Sequence, residues 1–495
     1  MKSLLATVLA AVSISAFAAW DRLGSVQVAD MTSVSTAVAK LGQMVGNPMV
    51  SAAAASGIAD MSILKFFGPM RKNSSMTFTL LMDPAAFAKD VSEGLGQLEY
   101  AVLYPTTVSK AQFLKRHEGS YETNGVIVVK GDFDGDDLDT AKTYVVFSED
   151  GKWAGASDNI EQCRLALKDI ALSKKPMNGD IVRVSLKPAA FGYICRSMEK
   201  SGDMSKADLD SLKEVRSVML GLKVSDLGID IKGSMKFRDG SDFANIGRKS
   251  LADDALAFAD KGAFSATAYA EGSGKSRDMT DEEWNAGVAL CKKYGIDVAK
   301  FLARTKAKDV SRYTFDMAAL FKFITENEEG FGKIDFEKFF AELREIGSGG
   351  KGEANGPAGA CVFCVKGFES QWSVSERFAA TLPEVSGKKP FAVSFMSMSS
   401  LLKALVPHAL ALVPEDQREM IGPALDAFVT ESKCGIAAAY WREGEAVKGL
   451  MRISADEIRG IGGMATGIMS MGIMGAFSAD GDEDEGGDED GDDAN

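Results

Sequence analysis

Histidine is nearly absent from this chain. Its 495 residues hold two, His117 and His408. That excludes a multi-histidine zinc site and counts against a histidine-dependent catalytic triad. No GxSxG nucleophile elbow occurs. Gly274-Lys275-Ser276 ends like a phosphate-binding loop, but Tyr269 stands where the first glycine belongs. Six cysteines are few for a chain of this length, and Cys163 and Cys195 of the first half have no counterparts in the second. That argues against a repeated disulfide framework. Cys361-Val-Phe-Cys364 falls in a strand-like run, where side chains three apart face opposite ways, so it lacks the helix-start setting of a redox pair.

Calcium motifs also fall short. Residues 327–338 resemble the end of an EF-hand loop, with Gly332, Ile334 and Asp335 in familiar order. However, Phe331 occupies the fifth position and Lys338 the twelfth, where a bidentate carboxylate is required. The acidic run from Asp132 to Asp139 has alternate carboxylates but no ligand at its twelfth place, Thr143. Carboxylate pairs of the glycosidase kind have no fixed spacing, and nothing in the sequence singles one out. The sequence therefore supplies no catalytic, cofactor-binding or metal-ligating residue.

Net charge is −14, but residues 480–495 carry ten Asp and Glu and no base, so the remainder is close to neutral at −4. Such a body has no footprint for nucleic acid. The acidic stretch lacks apolar residues other than Ala494 and is expected to be disordered. Hydrophobic content of 46% and charged content of 25% are those of an ordinary globular protein, and the length calls for more than one core.

The first eighteen residues read as a secretory signal. Lys2 is a basic start, residues 4–17 are apolar, and Ala16-Phe17-Ala18 is a small-residue cleavage site. The expected address is exported, periplasmic or extracellular. Near the other end, residues 460–479 carry no charge and are rich in Gly, Met and Ile, with a GxxxG match at Gly463 and Gly467. A helix docked on the last domain is favoured there over a membrane span, because glycine lowers both helix propensity and hydrophobicity.

What is present twice is the stretch around residues 151–191. Trp153 answers Trp372, and Lys174-Lys175-Pro176 answers Lys388-Lys389-Pro390, each ahead of a strand-like run and then a helix-like one. Lys110-Ala-Gln-Phe-Leu-Lys-Arg116 is echoed by residues 298–304. The reading is an internal duplication. Residues 19–75 form a helical N-terminal segment, a hairpin of helices near 31–44 and 48–67. Residues 76–260 are the first copy, and 261–459 the second, with a helical, Gly-rich insertion at 321–359.

Alternating β-branched runs, helices and hairpin turns such as Asp150-Gly151 and Glu443-Gly444 predict α+β units, antiparallel sheets packed with helices. Further expectations are helices over 209–220 and 251–259, and strands over 223–231 and 234–238. The functional expectation is a non-enzymatic exported protein with a binding or envelope structural role, its partner an unidentified protein or envelope component. Two alternatives stand beside it: lipid or membrane handling through the apolar ends, and a carboxylate-dependent hydrolase.

Overall fold

The computed structural model describes residues 20–46, 62–91, 98–130, 142–201, 206–273, 279–327, 334–347, 358–411 and 431–462, with four positions between 412 and 430. The signal-peptide reading, the acidic run at 132–139, the acidic tail and nearly all of residues 460–479 lie outside the described residues. So does the middle of the EF-hand-like stretch.

In chain order the first elements are β1 (Asp21–Val28), α1 (Met31–Val45), α2 (Ser62–Phe67), β2 (Met76–Met82), α3 (Pro84–Lys89), β3 (Glu99–Tyr104) and α4 (Lys110–Arg116). Then come β4 (Tyr121–Thr123), β5 (Val126–Lys130), β6 (Lys142–Phe147), β7 (Ala154–Ser157), α5 (Ile160–Leu167) and α6 (Ile170–Ser173). β8 (Val182–Leu186), α7 (Pro188–Ser201), α8 (Lys206–Lys213), β9 (Val215–Ser225) and β10 (Gly228–Phe237) follow. The rest of the chain gives β11 (Ala263–Tyr269), α9 (Asp281–Lys293), β12 (Leu302–Ala307), β13 (Val310–Phe315), α10 (Met317–Glu326) and α11 (Phe336–Gly347). Last are β14 (Gly359–Val365), α12 (Val374–Thr381), β15 (Ala392–Met396), α13 (Met398–Leu410), β16 (Ile436–Glu443) and β17 (Ala446–Ser454).

All seventeen strands of the described residues join one sheet. Its spatial order is β4-β5-β6-β7-β3-β2-β1-β8-β9-β10-β17-β16-β15-β11-β14-β13-β12, antiparallel except for the parallel pair β13–β14. The fold is therefore mixed α+β around a large antiparallel sheet, with helices on both faces.

Local sequence explains the helix ends. Asp30 caps α1 by accepting from the N–H groups of Thr32 and Ser33, and Gly46 ends it in the left-handed conformation. Ser109 with Gln112, Thr280 with Glu283 and Ser373 with Glu376 form capping boxes at the starts of α4, α9 and α12.

One face of the sheet, in the first half, packs Leu81, Ala101, Leu103 and Trp153 under α5 and α6. The same face in the second half packs Ala266, Val362, Val393, Phe395 and Leu450 under α12 and residues 251–259. The opposite face carries α2 and α4 over Met76, Val102 and Tyr104, and α10 and α13 over Phe264, Phe315 and Phe363.

The registers repeat. β1 meets β8 from Gly24↔Leu186 to Val28↔Val182, and β11 meets β15 from Ser265↔Met396 to Tyr269↔Ala392. β8 meets β9 from Val182↔Leu222 to Leu186↔Val218, and β15 meets β16 from Ala392↔Tyr440 to Met396↔Ile436. A register shift falls between Arg22 and Gly24 in β1, and between Ala263 and Ser265 in β11. Gly24 is required there, since a Cβ would stand 2.2 Å from the Ser185 carbonyl oxygen.

Several expectations are corrected. The segment 19–75 is not a purely helical preface. Asp21–Val28 is a strand inside the sheet between β2 and β8, with Ser25 and Gln27 buried on one face and, past the register shift at Arg22/Gly24, Leu23 buried on the other with Met82 and Tyr193. Of the expected N-terminal hairpin, α1 and the short α2 are present, and residues 47–61 lie outside the described set. The helix expected at 209–220 ends at Lys213, and β9 begins at Val215, since Val218, Leu220 and Leu222 recur at strand rather than helix spacing. The turn falls at Asp226-Leu227 and not near Gly233. Residues 251–259 form successive turns without a helix. The echo of α4 at 298–304 is a short 3-10 turn running into β12, so Phe113 and Phe301 sit on unlike elements. Trp153 precedes a strand and is 1% exposed, whereas Trp372 directly precedes the cap of α12 and is half-buried.

Candidate functional site

The registers allow each face to be read across the six central strands β8, β9, β10, β17, β16 and β15. One row runs Val184, Leu220, Gly233, Gly449, Tyr440 and Ala392, each opposite the next. The row beside it runs Val182, Leu222, Ile231, Met451, Ala438 and Ser394. With Val218, Met235, Val447 and Ile453 on the same side, this face holds a single charged side chain, Arg442. Its guanidinium is turned to the carbonyls of Ala244 and Ile246 at 2.6 and 2.9 Å.

The middle of this face has little cover among the described residues. Leu220 is 43% exposed, Ile231 38% and Tyr440 44%. Helices stand at its borders: α1 with Ala37, Leu41 and Met44 packs on Val224 and Ile229, and α7 packs beside Leu186. Leu220 leans over Gly233, where a Cβ would lie 3.4 Å from it, and the Tyr440 ring leans over Gly449, where a Cβ would meet it at 2.9 Å. Three strand spacings separate β9 from β16, a lane about 14 Å wide. The opposite face of the same strands bears Arg183, Lys223, Asp230, Lys232, Lys236, Lys448 and Arg452, so the polarity is one-sided.

A buried polar cluster lies under α12. Arg377 is fully buried; it donates from Nη2 to the Ser432 carbonyl at 3.0 Å and to the Ser397 hydroxyl. Its Nη1 stands 3.8 Å from Glu431 Oε1, and its Nε and Nη1 make no hydrogen bond. Glu457, also fully buried, accepts from the N–H of Met398, from the N–H of Ser399 at 3.0 Å and from its hydroxyl at 2.8 Å. Burial pushes the Glu457 carboxyl above its ordinary range, and those bonds oppose the shift.

Ser400-Leu-Leu-Lys403 has the SxxK spacing of acyl-transfer nucleophiles, which the sequence reading missed. Ser400 is fully buried and donates to Glu431 Oε1 at 3.2 Å, while the Lys403 Nζ lies 3.8 Å from Glu431 Oε2. A hydroxyl closed off from solvent and turned to a carboxylate holds the start of α13 in place. The two carboxylates of this cluster are likewise sealed.

Compared with known proteins, the chain matches no family model, no curated protein and no solved structure. The site must therefore be judged on its own chemistry.

A further feature is a cavity of about 510 Å³ on the other side of α12. Its walls are Leu256, Phe378, Leu382, Val385 and Val393, with Ser375, Ser386, Lys389 and Asp253 as the polar members. The Ser375 hydroxyl is buried and makes no hydrogen bond. Lys389 holds a left-handed backbone at φ 51. All six cysteines are free, and burial pushes the Cys163 thiol up to about 12. Among the described residues no group of His, Cys, Asp and Glu is arranged to hold a metal, and no helix is long and apolar enough to cross a membrane.

Proposed function

We propose that this is an exported, non-enzymatic binding protein made of two fused α+β units, and that its central apolar face takes the hydrocarbon part of an amphiphile. One observation carries the binding reading. Leu220, Ile231 and Tyr440 are exposed together on a face whose strands otherwise present Val, Leu, Met, Gly and Ala. Large exposed apolar surfaces ringed by packed helices mark ligand or partner sites. Methionines 235 and 451 add side chains that adapt to an irregular ligand. The signal-like residues 1–18 support export, and the carboxylates of the buried cluster are sealed from solvent, which does not favour the hydrolase alternative.

The duplication reading rests on register. The pairings among β1, β8, β9 and β10 recur among β11, β15, β16 and β17, with the same irregularity in β1 and β11. The two units join where β10 meets β17, with Lys232 opposite Leu450 at the centre. On this reading the first copy begins at β1, ahead of residue 76.

The test is fluorescence titration with dansyl-undecanoate. The parent protein binds it, and Ile231→Glu, which sets a charge on the face without emptying a core, weakens binding tenfold or more. Equal binding by a variant with unchanged unfolding overturns the assignment of this face. Preference for an apolar peptide over the acyl probe moves the reading to a protein partner.

A further inference from the structure

We infer that the cavity beside α12 is a second binding site, for a small zwitterion with an apolar body: a hydrophobic amino acid. The volume of about 510 Å³ lies within the usual range for small-molecule sites. Its walls are mostly hydrocarbon, from Leu256, Phe378, Leu382, Val385 and Val393. Four polar residues share the space: the Ser375 hydroxyl is buried in it, while Asp253, Ser386 and Lys389 are exposed at its rim. The Ser375 hydroxyl is buried with no hydrogen bond, a state that costs free energy unless something in the cavity engages it. Lys389 and Asp253 both line the cavity, yet among the described residues neither makes an ion pair, with each other or with any other group. Opposite charges that share a cavity without neutralising one another fit a ligand that carries both signs.

The placement of the groups assigns the two ends. Ser375 is the second residue of α12, whose cap is Ser373, so the hydroxyl stands at the positive end of the helix. A carboxylate is held there by Ser375 and Lys389. The ammonium then faces Asp253, on the segment that closes the cavity from the other side. The side chain fills the space between Phe378 and Val393. Lys389 joins the cavity wall from a left-handed backbone, φ 51, a conformation strained for a non-glycine residue. The one charge on the central sheet face, Arg442, is already bonded to two backbone carbonyls, so the two sites take different chemistry.

Isothermal titration of the full chain with L-phenylalanine, N-acetyl-phenylalanine and phenethylamine tests the assignment. Phenylalanine is expected to bind tightest. Lys389→Asn, which tolerates the left-handed backbone, and Ser375→Ala each weaken phenylalanine and N-acetyl-phenylalanine about tenfold and leave phenethylamine unchanged. Asp253→Asn weakens phenylalanine and phenethylamine and spares the acetylated ligand. Ala379→Phe, which fills the cavity from the exposed side of α12, abolishes all three, while Ile231→Glu affects none. Absence of phenylalanine binding to the parent overturns the inference. So does binding that survives Ala379→Phe, or charge variants that fail to separate the three ligands.

Discussion

Trp153 is the place where packing makes the firmest numerical demand. Its ring is 1% exposed and sits against Leu81, Ala101, Leu103 and Ala166, beneath α5. Truncation to alanine removes the transfer free energy of a large aromatic and leaves a cavity that strands β2 and β3 cannot close, a cost of about 3–5 kcal/mol. The indole Nε1 makes no hydrogen bond, so Trp153→Phe loses volume but no polar contact and should cost about 1.5 kcal/mol or less. Trp372 is only half-buried, and its alanine variant should cost about 1–2 kcal/mol on the scale of area removed from water. The measurement is guanidinium unfolding of the full chain followed by far-UV circular dichroism, comparing the three variants with the parent. Equal losses for Trp153→Ala and Trp372→Ala would refute the burial argument, as would a loss below about 1 kcal/mol for Trp153→Ala.

Two further expectations follow from charge. His117 is half-buried with Nε2 bonded to the Phe66 carbonyl at 2.9 Å; burial first, then the Arg116 charge, hold it below its ordinary 6.5. The folded state therefore binds fewer protons than the unfolded one, so stability falls as pH drops below 6.5 toward the lower folded value; His117→Gln should flatten that part of a stability–pH profile. Arg452 donates to Asp230 at 2.6 and 3.0 Å and to Glu384 at 3.2 and 2.7 Å, joining β17 to β10. Arg452→Met should cost about 3–5 kcal/mol in urea unfolding by stranding the buried Asp230, and Asp230→Asn in that background should recover part of it.

Strands whose two faces differ in a regular way were legible in the sequence. β5, β6, β11 and the β16–β17 hairpin lie close to where β-branched runs and turn residues put them. The capping Ser109 was legible too, because a side chain three residues on completes its box. β9 was misread because Leu209, Leu212, Val215 and Met219 also satisfy a helical period, and only pairing with β8 and β10 decides between the two. β1 carries Gly, Ser and Gln in its middle, and what makes it a strand is the pair of neighbours on either side. Neither candidate site could be read from the chain alone. The apolar face takes alternate residues from six strands, each of which reads as ordinary amphipathic sheet until the registers align them. The cavity brings Asp253 to Ser375 across more than a hundred residues. The repeated Lys-Lys-Pro was the nearest signal, since Lys389 of its second occurrence lines that cavity.

The joint between β10 and β17 bears on how the protein avoids itself. On the proposed two-unit reading, either unit taken alone would end in a long strand with its backbone donors and acceptors open along one side, the kind of border on which sheets extend from molecule to molecule. Covalent fusion lets each unit close the other's border. Among the described residues the outer borders that remain are the three-residue β4 and β12, which carries the exposed Lys306, one short and the other charged, both poor at recruiting another chain. A cut between the units would reopen both inner borders. Because the pairing is centred on equivalent positions, the freed β17 would find its best match in a second β17, and filament growth would stop at a closed pair.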